Sequence, residues 1–151
     1  MSHALKIIGS GVYLPKRIVT DRELDDKIGV SHGTTYRAAG VKQRHYVSAE
    51  ETQSFMGAHA VMAALEDAHL RYEDLDLIIC ASGGHEQPIP CSAALIQRAL
   101  GKMDSGTPCF DINATCLSFV TALDLASLMI TTRRYRSIMI VSSEIASVGL
   151  N

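Results

Sequence analysis

TPCFDINATCLSF, residues 107–119, decides the fold. Its first part, residues 108–112, is a short apolar run of strand length. Residues 116–130 form an apolar stretch too long for another strand, and length assigns it to a helix. Asn113, Ala114 and Thr115 separate the two, so the segment reads as strand, turn and helix, with Cys116 at the helix entrance. Unpaired N–H groups and the positive end of the helix dipole favour a thiolate there, and the thiolate is the reactive form of the side chain. The same N–H groups suit the oxyanion that forms when sulfur attacks a thioester carbonyl. The competing reading makes Cys116 one more small buried residue, since free cysteine is among the most buried types.

Outward from this segment the chain alternates strands and helices, the pattern of a layered α/β sheet. Residues 4–12 read as a first strand. Residues 20–23, Thr-Asp-Arg-Glu, read as a capping box opening a short helix, and residues 41–47 as a further strand after a Gly-rich polar stretch. Ser48 to Glu51 form a second capping box. Phe55, Ala58, Met62 and Leu65 then recur on one helical face, with His59 and His69 on the same helix as solvated or rim residues. Residues 75–81 are an apolar run broken only by Asp76, as suits a strand covered on both faces, and Gly83-Gly84 ends it in a loop. Residues 138–142 supply the last strand. Helix 116–130 is apolar on nearly every side and is expected to be buried on most of them, with Asp124 needing a partner such as Arg133, Arg134 or Arg136.

The composition, 47% hydrophobic and 20% charged over 151 residues, suits one sizeable core. A net charge of −2 gives no pull toward nucleic acid or an anionic membrane. The start of the chain lacks the basic and apolar segments of a signal peptide, and no apolar run reaches spanning length. The four cysteines do not form a secreted disulfide framework, and a reducing cytoplasm is the expected compartment. His85, Glu86 and Cys91 match no zinc spacing, so neither a metal nor another cofactor is expected.

DINATCLSF resembles the nucleophile segment of the ketoacyl-acyl-carrier-protein synthase III family, within the thiolase superfamily. Gly9-Ser10-Gly11-Val12-Tyr13-Leu14-Pro15 is similar to that family's first strand and turn, and Gly40-Val41-Lys42-Gln43-Arg44-His45 to its glycine-to-arginine signature. Residues 75–82, 93–101 and 138–144 match the following strand, helix and strand in order. The resemblance implies a thiolase-like α/β fold, with residues 1–151 as the amino-terminal domain and a second half of similar size absent from this chain. It further implies an acyltransferase in which Cys116 takes an acyl group from an acyl-coenzyme A or acyl-carrier-protein thioester. A malonyl thioester is the implied condensing partner, and a homodimer the implied assembly. Histidine and asparagine residues of the second half would complete the site.

By the same resemblance, Ile89, between Pro88 and Pro90, holds a position where family members place a bulky side chain that limits the acyl pocket across a dimer interface. The alternative is a turn stiffened by two prolines around a buried isoleucine. Arg37 is the implied contact for the thioester carrier, displaced by one residue from the family arginine, while Thr34 stands where the family has tryptophan. Ser118 replaces a glycine and implies close packing. Three other readings remain open: a split or truncated subunit acting by assembly, an acyl transferase without condensation in secondary metabolism, and a thioester hydrolase using His85 as the base for Cys116.

Overall fold

A computed structural model of the chain describes residues 5–146. Strand β1 (Arg17–Thr20) pairs antiparallel with β2 (Gln43–Tyr46), Arg17 lying opposite Tyr46 and Thr20 opposite Gln43. Between them run helices α1 (Asp21–Ile28) and α2 (Thr34–Ala39). Helix α3 (Gln53–Asp67) and a 3-10 turn (Tyr72–Asp74) lead into β3 (Leu77–Ala81). Helix α4 (Ser92–Ala99), β4 (Cys109–Ile112), α5 (Ser118–Thr131) and β5 (Ile138–Val141) follow. The last three strands form a parallel sheet in the order β4-β3-β5, in which Ile78 is in register with Cys109 and Leu77 with Ile138.

The side-chain alternation of a strand divides β3 between two cores. Ile78 and Cys80 pack with Ala58, Val61 and Leu65 of α3 and with Ala93 and Ile96 of α4. Leu77, Ile79 and Ala81 face the other way, against Ala122 and Met129 of α5. Every residue of β3 is buried, which explains its unbroken apolar sequence. From β3 the chain crosses to β4 on one side through α4, and from β4 it returns past β3 to β5 through α5. Because parallel crossovers keep one hand, the change of direction puts α4 and α5 on opposite faces. Among the described residues no helix is long and apolar enough to cross a membrane.

Several local expectations change. Of the first strand, residue 4 lies outside the described residues, and residues 5–12 belong to no strand. The segment is instead laid against α3: the Ser10 N–H donates to Asp67 (2.8 Å), and a Cβ at Gly9 would lie 2.6 Å from the Ala64 carbonyl oxygen. Among the described residues the first strand is β1, whose short Arg-Ile-Val-Thr run lacks the continuous apolar signal.

Thr20 caps α1 by accepting from the Glu23 N–H (3.2 Å), but Glu23 pairs with Arg17 (2.9 Å) rather than reaching back. The second box sits one turn too early. Glu51 does bond the Ser48 N–H (2.8 Å), yet α3 begins later with Thr52 as its cap. The α3 core stripe is rotated accordingly, through Gly57, Ala58, Val61, Ala64 and Leu65, leaving Met62 exposed. His69 lies past the helix end, while His59 stacks on Tyr13 with ring centroids 5.1 Å apart.

Helix α5 departs furthest from expectation. Only Ser118, Ala122 and Ala126 are buried, whereas Leu117, Phe119, Val120 and Leu128 are exposed. A single layer of sheet covers one helical face, and the described residues supply nothing to cover the others. Asp124 is exposed as well, which removes its need for a buried partner, and no ion pair joins it to the three arginines among the described residues.

Candidate active site

Open parallel sheets bind ligands beyond the carboxyl ends of their strands, where the winding direction reverses. Here that position is the end of β3, flanked by the ends of β4 and β5. Three loops meet there: Ser82-Gly83-Gly84 after β3, Asn113 to Leu117 after β4, and Ser142-Ser143-Glu144 after β5.

The loop after β4 is a tight elbow. Leu117 N–H donates to the Ala114 carbonyl (3.1 Å) and Ser118 N–H to the Thr115 carbonyl (3.2 Å), while Thr115 takes a left-handed φ of 53°. Such a backbone is uncommon for a β-branched residue and persists only where its surroundings enforce it. The buried Ser118 hydroxyl supplies part of that enforcement by donating to the Thr115 carbonyl (2.7 Å) and accepting from the Ala114 N–H (3.0 Å). Asn113 supplies another part: its side-chain carbonyl accepts from the Thr115 N–H (3.1 Å) and its amide donates to the Gly83 carbonyl (2.9 Å). Cys116 follows at the crest of the elbow, exposed, just ahead of the first turn of α5.

The neighbouring loops are fastened to the elbow and to each other. Glu144 accepts from the N–H groups of Gly83 and Gly84, the latter at 3.2 Å. A Cβ on Gly83 would lie 3.5 Å from the Thr115 Cα, so the clamped loop abuts the residue before Cys116. Beneath it, Gln53 at the start of α3 donates to the carbonyls of Gly84 (3.1 Å) and Ser143 (2.6 Å), and the Ser82 hydroxyl donates to Ser143 O (3.1 Å). Asp111 of β4 turns to α4, where it accepts from the N–H groups of Ser92 (2.7 Å) and Ala93 (2.8 Å) at the helix N-terminus.

The other thiols differ from Cys116. Burial pushes both Cys80 and Cys109 up to about 11, and each stays protonated at neutral pH. Exposure therefore singles out Cys116. Ile89 is 86% exposed, so the alternative of a turn around a buried isoleucine is not what the structure shows. Arg37 is exposed on α2, with its guanidinium on the Thr34 hydroxyl (3.2 Å). Its turn is held by the fully buried Asp25, which accepts from the N–H groups of Gly33 (2.6 Å) and Thr35 (2.9 Å). Burial works against that charge, but the bonds from Thr35 and Gly33 keep the carboxyl below the usual range. No hydrogen bond joins His85 to Cys116 among the described residues. Among these residues no group of three His, Cys, Asp or Glu side chains is placed to hold a metal ion.

Sequence reasoning placed Cys116 at the helix entrance but missed Asn113, Ser118, Glu144 and Gln53 as the scaffold around it. For Asn113 the available signal was a polar residue directly after a strand end, whereas Ser118, Glu144 and Gln53 carry no such local mark.

Comparison with known proteins finds similar sequences and a similar fold. Residues 110–151 match the family model described as 3-oxoacyl-[acyl-carrier-protein (ACP)] synthase III. The beta-ketoacyl-[acyl-carrier-protein] synthase III of Clostridium acetobutylicum is 34% identical over 145 residues, 96% of this chain and 44% of that protein. The Acidiphilium cryptum protein of the same name is 38% identical over 95% of this chain and 44% of its own length. The crystal structure of the Aquifex aeolicus 3-oxoacyl-[acyl-carrier-protein] synthase III superposes with a TM-score of 0.86 at 37% identity, over 95% of this chain and 46% of that one. This chain thus spans somewhat under half the length of the relatives it matches. Sequence and fold together make this chain similar to the amino-terminal half of 3-oxoacyl-[acyl-carrier-protein] synthase III proteins, with a thiolase-like α/β fold.

Proposed function

We propose that this domain is the acyl-accepting part of a 3-oxoacyl-acyl-carrier-protein synthase III-type acyltransferase, with Cys116 as the nucleophile. The observation that carries the reading is the elbow, which holds one exposed thiol at the switch point of the sheet beside a helix N-terminus. In the first step the Cys116 sulfur attacks the carbonyl of an acyl-coenzyme A or acyl-carrier-protein thioester. The tetrahedral oxyanion is met by the backbone N–H of Cys116, the neighbouring N–H groups of the elbow being engaged within it, and the carrier leaves as its thiolate, giving an acyl-cysteine. In the second step a malonyl thioester loses carbon dioxide, and its enolate attacks the acyl carbonyl. A carbon–carbon bond forms as the cysteine thiolate departs. Enolate stabilisation calls on groups outside this chain, in the half that longer relatives possess.

Ile89, projecting from its loop, is proposed to limit the acyl chain across a homodimer contact, and Arg37 to meet the thioester carrier. The setting is the cytoplasm. Intact-protein mass spectrometry after incubation with a panel of acyl thioesters tests the first step. Acyl adducts are expected on the chain and absent from Cys116→Ser, and an adduct that survives the substitution would sink the assignment. The chain alone is expected to make little 3-ketoacyl product, and robust formation of it would contradict the need for a second half.

The exposed apolar residues of α5 favour a second reading, a subunit that acts by assembly. Failure of every thioester to acylate Cys116 in a folded chain would favour it.

A further inference from the structure

Ile89 stands on the loop between β3 and α4, and its side chain joins neither core cluster of the domain. Its place is therefore set by the backbone of the loop. Pro88 and Pro90 flank it, and neither has an N–H with which to fasten the chain. Two side chains do the fastening. The Gln87 amide donates to the Ile89 carbonyl (2.7 Å), and the Glu86 carboxylate accepts from the Ser54 N–H (2.8 Å) at the start of α3.

The second of these bonds is the one that ties the loop to the rest of the domain. The first N–H groups of a helix have no partner within it. In α3 the Thr52 hydroxyl takes the Phe55 N–H (3.2 Å), which leaves Ser54 to find another acceptor. The first turn of α3 holds no acidic residue of its own, so the carboxylate that suits the positive end of the helix dipole comes from Glu86, 32 residues further along the chain. The neighbouring residue of the same turn, Gln53, holds the carbonyls of Gly84 and Ser143, in the loops that support the Cys116 elbow. One turn of helix thus carries both the elbow's supporting loops and the loop of Ile89.

We infer that Glu86 is a positioning residue for Ile89: its bond to the Ser54 N–H holds the loop where the Ile89 side chain limits the length of chain that Cys116 accepts. The inference rests on the role proposed above for Ile89. It does not depend on the acyl-transfer step.

The test uses the 151-residue chain and a series of N-alkylmaleimides from methyl to octyl, which alkylate Cys116 without any thioester chemistry. Labelling of Cys116 is followed by peptide mapping and expressed as the ratio of octyl to methyl rates, so that a change in the thiol itself cancels. Ile89→Ala is expected to raise the ratio, and Glu86→Ala to change it by about threefold or more. Glu86→Gln, which keeps an acceptor for the Ser54 N–H, is expected to stay near the parent ratio. In the Ile89→Ala background Glu86→Ala is expected to add no further change, a dependence that a general loosening of the fold would not produce. A ratio indifferent to Glu86→Ala overturns the inference, and so does a Glu86→Ala shift of the same size in both backgrounds. A ratio indifferent to Ile89→Ala removes the role of Ile89 and the inference with it. Thioesters that fail to acylate Cys116, beside a maleimide ratio that answers to both residues, would sink the acyl-transfer reading and support the placement of Ile89 by Glu86.

Discussion

Among single residues, Cys116 differs from the other cysteines by position rather than by type. Cys80 and Cys109 sit inside the packing around β3, where burial holds them protonated, while Cys116 stands exposed on the elbow. Alkylation with iodoacetamide at neutral pH, followed by peptide mapping, is therefore expected to modify Cys116 well before Cys80 or Cys109. Equal labelling of the three would contradict the packing described here. Cys116 was legible because an apolar strand run and an apolar helix run bracket it, and both are local signals. Its scaffold was not, because Glu144 reaches Gly83 and Gln53 reaches Ser143 across 61 and 90 residues of sequence. Nothing in the neighbourhood of either residue announces such a partner.

Elements show the same division. β3, β4 and β5 lie within a residue or two of where apolar runs place them, and α4 within two of where the family resemblance puts it. Residues 5–12 also carry an apolar run but form no strand, because a strand needs a neighbour and the described residues offer none. Their contact with α3 depends on two glycines instead. A Cβ at Gly11 would press into the backbone of α3 at Ala60 and Ala64, and backbone cannot swing aside. Gly11→Ala is expected to destabilise the chain by about 1–3 kcal/mol, as overpacking does, measured by urea unfolding. An unchanged midpoint would mean the segment does not rest on α3. Helix α5 teaches a related lesson: periodicity reports which faces can be buried, and only the fold reports which faces are.

For the molecule as a whole, Glu51 ties separate parts together. Its buried carboxylate accepts from the Ser48 N–H, the Tyr13 hydroxyl (2.7 Å) and the Lys16 N–H (3.0 Å), joining the first residues of the chain to the entrance of α3. The Ser48 and Tyr13 bonds lower its pKa from 4.5 to about 2. Because the folded value lies below the unfolded one, its contribution to stability is complete above the unfolded value. It drains as pH falls and is gone below the folded value. Thermal unfolding of the chain and of Glu51→Gln is therefore expected to differ at neutral pH and to converge between pH 4.5 and about 2. A gap that stays constant across that range would remove Glu51 from the account.

The central place of β3 also has a consequence in time. Its neighbours in the sheet arrive late: Ile78 waits for Cys109, and Leu77 for Ile138, two long closures that slow a fold without weakening it. During synthesis, which proceeds from the amino terminus, β3 emerges with both faces apolar and neither edge occupied. α3 is the one large element already made that can shelter it, and then on one face only. The strand that anchors the finished domain is thus its most vulnerable piece while the domain is being made.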